Sequence, residues 1–408
     1  IRKLKLPDGS TCNPEEIRLL QKSFFETLYT TKQEVNQDEV AYFMQANVPT
    51  LDNDLKRACE GKVSVQECKK VLNCFSNNKS PGNDGLTIEF YRQFWDIIST
   101  PLIQCFNYSY DNGELSNSQK QAIISLLEKV GKDRQSIKNW RPISLLNVDY
   151  KILTKSLANR IKLTLPYIIN IDQTGYVNDR KLCYSVRLIQ DIMEYTKCEN
   201  MSGILIQIDF EKAIDSIEWH FLMEALKKFN FGESFIKWVK VIYTNISSCI
   251  INNGICTPYF KVSRSVRQGD PLSGNLFILA LELLAQRIRE SPSIKGILFG
   301  NFECRITQYV DDLTIFVKNI DSAREVFRIL ELYHKAAGLK VNKDKTEGLW
   351  LGRSRHCRDK PLNIKWPTDP IKVLGVFLSY DRSKADKANF DDKIEKLKKQ
   401  LHWWKARD

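Results

Sequence analysis

Two carboxylates, Asp311 and Asp312, stand side by side between short apolar runs, with Ile306 before them and Leu313, Ile315 and Val317 alternating after them. Alternation with a two-residue period predicts strands, so Tyr309-Val-Asp-Asp312 reads as the tip of a β-hairpin. Adjacent strand residues face opposite sides of a sheet, and both acids reach one site only if a turn separates them. Like charges a few ångströms apart repel, and one of them is driven to protonate unless a cation intervenes. A third acid, Asp209, ends the apolar run Gly203-Ile-Leu-Ile-Gln-Ile-Asp-Phe210. Ile204, Ile206 and Ile208 share one face of that strand, and Asp209 points the other way. Adjacency in one sheet would bring it beside the hairpin tip. An all-oxygen set of three Asp residues suits two Mg²⁺ ions, with Mn²⁺ an alternative. Ions roughly 3.5–4 Å apart serve phosphoryl transfer, in which positioning and charge stabilisation carry the catalysis. Alone, an Asp-Asp pair also serves as plain turn chemistry.

The surrounding pattern is mixed. Residues 14 to 46 read as amphipathic helix, with Ile17, Leu20, Phe24, Phe25 and Leu28 at steps of one, three and four. Ser80-Pro-Gly-Asn-Asp-Gly85 is a turn cluster leading into a helical run from Ile88 to Ile98. Helices are expected from Trp219 to Phe229, from Phe235 to Ser247 and from Leu276 to Glu290. Cys249 to Gly254 reads as strand and hairpin turn, and Phe260 to Val266 as the returning strand. The implied architecture is α+β, an antiparallel sheet with helices on one side.

The 61 Lys and Arg against 49 Asp and Glu give a net charge of +12, which favours a polyanionic partner. The excess concentrates beyond Leu339, where 18 basic residues face 10 acidic ones. Eleven Cys without a Cys-x2-Cys pair, and only four His, assemble no local zinc site and read as free thiols. No apolar run reaches the roughly 18 residues of a membrane span, and Ile-Arg-Lys-Leu-Lys is no signal peptide. A soluble intracellular protein is expected. The missing initial Met and the end inside a helical pattern, at Lys405 to Asp408, read as a piece of a longer chain.

The ordered company of the acids, from about Asn78 to Trp404, resembles the reverse transcriptases of non-LTR (LINE-type) retrotransposons. Ser80 to Tyr91 looks like the family's leading segment. Leu126-Leu-Glu-Lys129, Asn139-Trp-Arg-Pro-Ile-Ser-Leu-Leu146 and Asp172 to Arg180 follow in the expected order. Asp209-Phe-Glu-Lys-Ala-Ile-Asp-Ser216, Arg267-Gln-Gly-Asp-Pro-Leu-Ser273 and Tyr309-Val-Asp-Asp312 resemble the central motifs. Gly338 to Thr346 and Val373-Leu-Gly-Val376 resemble the two that close the palm. The resemblance implies a right-hand polymerase fold: an N-terminal helical extension (1–75), fingers (76–200), a palm with an antiparallel sheet (201–380) and the start of a truncated thumb (381–408).

It further implies an RNA-directed DNA polymerase with Asp209, Asp311 and Asp312 as metal ligands and Lys345 beside the departing pyrophosphate. Lys129 and Arg141 would meet the triphosphate, and Arg180, Phe210, Ile214, Arg267, Gln268 and Gly269 would line the nucleotide and template site. Leu374 and Gly375 would grip the primer. The implied partners are an RNA template, a DNA primer or target and dNTPs, in a ribonucleoprotein of cytoplasm and nucleus. An endonuclease and other element domains would lie on further parts of the chain. Ile214 stands where relatives commonly carry an aromatic residue that excludes the sugar 2′-hydroxyl, and Asp179, Ser265 and Gly274 replace an expected Gly, Gly and Pro. These departures keep a second reading open, a catalytically impaired, maturase-like RNA-binding module of the same fold.

Overall fold

The N-terminal helix runs from Pro14 to Tyr29 because its first turn is closed chemically as well as by propensity. The Asn13 side chain accepts the N–H groups of Glu15 and Glu16, Glu16 reaches back to the Asn13 N–H, and Pro14 sits where no N–H is needed. Its buried stripe is Ile17, Gln21, Phe25 and Tyr29, so two polar-tipped residues join the face where the apolar pattern placed Leu20, Phe24 and Leu28. The structure, a computed structural model, describes residues 1, 3–5, 13–31, 36–367 and 369–405. The expected single helical stretch 14–46 continues as Gln37–Met44; residues 32–35 lie outside the described ones, as do 406–408 of the expected thumb.

Internal contacts divide the chain into two compact units, Ile1–Ile169 with Lys212–Leu283 and Lys335–Leu339, and Asn170–Glu211 with Leu284–His334 and Lys340–Asp408. In the first unit, the strands Trp140–Leu145, Gln121–Glu128, Ser247–Asn252 and Ile255–Cys256 lie in that order, and Phe260–Lys261 also pairs with Ser247–Asn252. Gln121 to Ser125 run parallel to Ser247 to Ile251, so this sheet is mixed rather than antiparallel. The returning strand expected through Val266 stops at Lys261. Beyond it the Ser263 and Arg264 N–H groups donate to the Tyr29 carbonyl, at 2.9 and 3.3 Å, and those of Ser265 and Val266 to the carbonyls of Ile217 and Ile214. Those acceptors draw the backbone out of the ladder. The helical run after the turn cluster is broken at Phe94 into Ile88–Gln93 and Trp95–Asn112.

In the second unit, the strands Glu347–Gly352, Ser202–Ile208, Asp312–Val317 and Ile306–Tyr309 form an antiparallel sheet in that order. One face carries Leu205, Phe316, Leu349 and Leu351 into a core with Ile189, Ile192 and Met193 of the helix Leu182–Cys198. The opposite face, with Ile204, Ile206 and Ile315, is equally buried. Helices on one side only were expected; apolar residues at successive strand positions require cover on both. A small hairpin, Ile371–Val373 and Val376–Leu378, packs into the same core, and Leu374 and Gly375 form its turn at φ 49° and 84°. The helix Arg382–Lys405 closes the described chain and leaves Phe390, Ile394, Leu397 and Leu401 exposed. No helix among the described residues is long and apolar enough to cross a membrane.

Candidate active site

The three acids of the sequence reading meet at one end of the second unit's sheet. Tyr309 pairs with Asp312, so Val310 and Asp311 are the hairpin's turn and Asp312 opens the outgoing strand. Leu313 lies opposite Ile208; one step outward Asp312 comes opposite Asp209, on the same face of the sheet. Asp312 keeps a side open to solvent, yet packing around its carboxyl, then the charges of Asp311 and Asp209, push it up to about 6. That repulsion and an all-oxygen donor set fit a hard divalent cation. Among the described residues no three acidic, His or Cys side chains are already drawn together as metal ligands.

Backbone clamps hold Asp209 and the turn that carries Asp311. Asn342 donates its N–H to the Asp209 carbonyl at 2.7 Å, the Asp209 N–H donates to Thr346 Oγ1 at 3.3 Å, and the Glu211 N–H donates to the Lys340 carbonyl at 2.8 Å. The turn after Asn342 also brings Lys345 Nζ within 3.7 Å of Asp209 Oδ1. On the hairpin side, Val310 has φ 57°, and buried Gln173 accepts its N–H at 2.9 Å. Gly175 lies so close that a Cβ there would stand 2.5 Å from Val310 Cγ2. Arg180, expected near nucleotide or template, donates to the backbone carbonyls of Gln173 (2.9 Å) and Asn170. Phe210 is buried, bridged to Val341.

The first unit holds the remaining candidates. Lys129 follows its strand directly, its N–H bonded to the Asn139 carbonyl at 3.0 Å, and exposed Arg141 lies opposite Leu127 on the neighbouring strand. Arg267 is buried, donating to the Lys120 and Ser247 carbonyls at 2.6 and 3.2 Å with its guanidinium over the Tyr150 ring. Gly269 has φ 116°, and a Cβ there would meet the Ser144 carbonyl oxygen at 2.6 Å, so only glycine fits. Gln268 accepts the Ser144 N–H on its carbonyl at 2.8 Å and donates its side-chain amide to both oxygens of Asp215, each at 3.0 Å. Asp215, 2% exposed, also accepts the Tyr29 hydroxyl at 3.2 Å. Burial, opposed by nearby Lys212 and these hydrogen bonds, pushes its carboxyl up to about 6. Ile214 beside it is half-buried.

Residues 128–378 match the reverse transcriptase (RNA-dependent DNA polymerase) family. The chain belongs to the reverse transcriptase family. Over 398 residues, 97% of the chain, it is 31% identical to a transposon TX1 149 kDa protein of Xenopus laevis. It is 25% identical over 272 residues, 66% of the chain, to the Pol polyprotein of the retrotransposable element R2DM of Drosophila melanogaster. It is 22% identical over 333 residues, 79% of the chain, to an RNA-directed DNA polymerase of the mobile element jockey of Drosophila funebris. The chain spans 30%, 25% and 35% of these relatives' lengths. They are non-LTR elements, the lineage that the order of motifs resembles, and the mixed α+β architecture is consistent with the right-hand polymerase fold of reverse transcriptases.

In this reverse transcriptase several residues act through others. Gln173, Asn342 and Thr346 hold backbone of the acidic turn and strand, and Asp215 and Tyr29 hold Gln268. Gln173, Asp215, Asn342 and Thr346 lie inside the motif segments Asp172 to Arg180, Asp209 to Ser216 and Gly338 to Thr346, whereas Tyr29 lies outside all of them. Two replaced glycines are informative as well. Asp179 and Ser265 take φ 62° and 92°, the region that the expected glycine enters without cost.

Proposed function

We propose that this chain is the RNA-copying polymerase segment of a non-LTR retrotransposon protein, transferring nucleotides from dNTPs to a primer 3′-hydroxyl on an RNA template. The observation that carries the reading is the meeting of Asp209, Asp311 and Asp312 at one end of one antiparallel sheet. A cluster of like charges is unfavourable in a protein that only binds RNA, and is what divalent-metal chemistry requires. Asp209, Asp311 and Asp312 would hold two Mg²⁺ ions, with Mn²⁺ as substitute. Such metal, when bound, supplies charge neutralisation at the transferring phosphate and a more acidic primer hydroxyl.

Lys345, paired with Asp209, is suited to give charge or a proton to the pyrophosphate once the acids are otherwise engaged. Lys129 and Arg141 supply cations for the triphosphate. Phe210 and Ile214 flank the sugar, Gln268 and Gly269 the nascent base pair, and Leu374 and Gly375 the primer. Arg180 and Arg267 serve the template side by shaping backbone, given their carbonyl partners. In this reading 76–200 are fingers, 201–380 palm and 381–408 the start of the thumb, behind a helical extension of 1–75. The protein works as an intracellular ribonucleoprotein with RNA template and DNA primer or target, joined by element domains elsewhere in the longer protein.

The test is primer extension on an RNA template with Mg²⁺, comparing the wild type with Asp311→Asn. Extension by the wild type alone supports the reading. Extension by both removes the role of the acids, and RNA binding without extension by either supports the impaired RNA-binding module instead.

A further inference from the structure

Three residues of the first unit, far apart in sequence, share one buried polar contact. Tyr29 is the last residue of the N-terminal helix, Asp215 lies in the short turn Ala213–Ser216, and Gln268 follows Arg267 in the loop before the helix Ser273–Glu290. The Tyr29 hydroxyl and the Gln268 amide both donate to Asp215, which is 2% exposed. Neither donor is a cation. Lys212, one turn upstream, stands over the Phe24 and Phe25 rings at 5.4 and 5.5 Å and donates to the Trp140 carbonyl at 3.4 Å.

We infer that Tyr29 and Asp215 are positioning residues for Gln268, so that the N-terminal helix, which lies before the family match, takes part in selecting the nucleotide. The inference rests on the reading that Gln268 sits against the nascent base pair. The Gln268 backbone is held on both sides. On one side Arg267 is tied to the Lys120 and Ser247 carbonyls; on the other Gly269 packs on Ser144, whose N–H bonds the Gln268 carbonyl. The side chain is the remaining variable, and a carboxylate removes its ambiguity. Both Asp215 oxygens accept and neither donates while ionised, so they take the amide nitrogen of Gln268 and turn its oxygen outward.

A side chain serving packing alone would not need a charge here. Even with Lys212 and Lys129 near enough to favour its charge, burying a carboxylate costs free energy that an amide or apolar residue would avoid. Tyr29 is itself fixed: its ring stacks between Phe25 and Phe260, and its carbonyl accepts the N–H groups of Ser263 and Arg264. The helix therefore delivers a hydroxyl at a set point to the acid that sets Gln268.

The experiment is steady-state primer extension by the full chain on an RNA template, measuring kcat and KM for correct and mismatched dNTPs. The variants are Tyr29→Phe, Asp215→Asn, Gln268→Ala and the double Tyr29→Phe/Gln268→Ala, with melting recorded for each. Tyr29→Phe removes one oxygen without changing shape. It is expected to raise the dNTP KM or the misincorporation ratio several-fold, less than the roughly ten- to 150-fold full weight of one hydrogen bond to a charged group because Tyr29 acts through Asp215, with kcat nearly unchanged. Asp215→Asn, which offers a donor where Gln268 needs an acceptor, should do more. In the Gln268→Ala background Tyr29→Phe should add nothing. An extending wild type whose KM and misincorporation are untouched by Tyr29→Phe overturns the inference alone. So does a full additional effect in the double variant, or a fall in kcat and melting with KM unchanged. A wild type that extends nothing overturns the polymerase reading, and this inference with it.

Discussion

Gln173 and Val310, 137 residues apart, are joined by two hydrogen bonds: the Val310 N–H donates to Gln173 Oε1 at 2.9 Å and Gln173 Nε2 donates to the Val310 carbonyl at 3.2 Å. Val310 is β-branched and sits at φ 57°, a conformation that costs of order 1–3 kcal/mol and persists only where its surroundings over-determine it. Gln173 supplies that determination, and the neighbouring turn residue is Asp311. Gln173→Leu is expected to lower stability by about 1–3 kcal/mol through the unmet N–H and to cut primer extension at least tenfold as Asp311 loses its place. Urea unfolding and extension rate measure the two. Unchanged extension in a destabilised variant would separate the clamp from catalysis.

The hairpin, the Ser202–Ile208 strand and the helices Trp219–Lys228 and Ser273–Glu290 were legible because period-two and period-3.6 patterns are local. Asp311 and Asp312 were legible because adjacency makes their repulsion visible without a fold, and Asp209 because it ends a period-two apolar run in a segment that resembles the family's motif. The side chains that hold the acids and Gln268 were not. Tyr29 meets Asp215 across 186 residues and Thr346 meets Asp209 across 137, through single side-chain hydrogen bonds that leave no periodic trace. The parallel pairing of Gln121–Ser125 with Ser247–Ile251 was hidden for a related reason. No hairpin turn connects parallel strands, so no short-range signal announces them.

Asp215 gives the chain a pH dependence whose sign is fixed by burial. Its carboxyl moves from 3.8 to about 6, chiefly because burial penalises the charged form. The folded state therefore keeps the proton longer than the unfolded one. The stability this contributes is complete below pH 3.8 and is lost as pH rises through about 6. The shift corresponds to a change on the order of 3 kcal/mol. Asp215→Asn does not titrate, so its stability relative to wild type should improve by that amount between pH 4 and pH 7. Urea midpoints of both proteins at the two pH values decide it, and a constant difference would refute the shift.

Ser265 occupies φ 92°, where any Cβ is strained, and its N–H donates to the Ile217 carbonyl at 2.7 Å. Glycine can keep that bond without the strain. Ser265→Gly should raise stability by about 1 kcal/mol, less what the more flexible unfolded chain takes back. A 1 kcal/mol gain would appear as a melting rise of a few degrees or less in a chain of this length. A variant melting below wild type would mean that the Ser265 hydroxyl, 3.2 Å from the Val266 carbonyl, outweighs the strain.

Under the proposed function, Ile214 bears on sugar choice. It is half-buried, and its backbone is fixed from behind by the Val266 N–H, 3.1 Å from its carbonyl. The position is therefore set while the side chain is short, a branched aliphatic where the family resemblance leads one to expect a ring. A ring excludes a 2′-hydroxyl by occupying the volume it would enter, and a smaller group leaves that volume open. Discrimination by one extra atom in an apolar pocket is worth about 1–3 kcal/mol, or 10- to 200-fold. Ile214→Phe should therefore raise the preference for deoxyribonucleotides by an amount in that range, with correct dNTP incorporation little altered. Competitive extension with ribo- and deoxyribonucleotides on one RNA template measures the ratio. Equal ratios in wild type and variant would show that sugar exclusion lies elsewhere in the site.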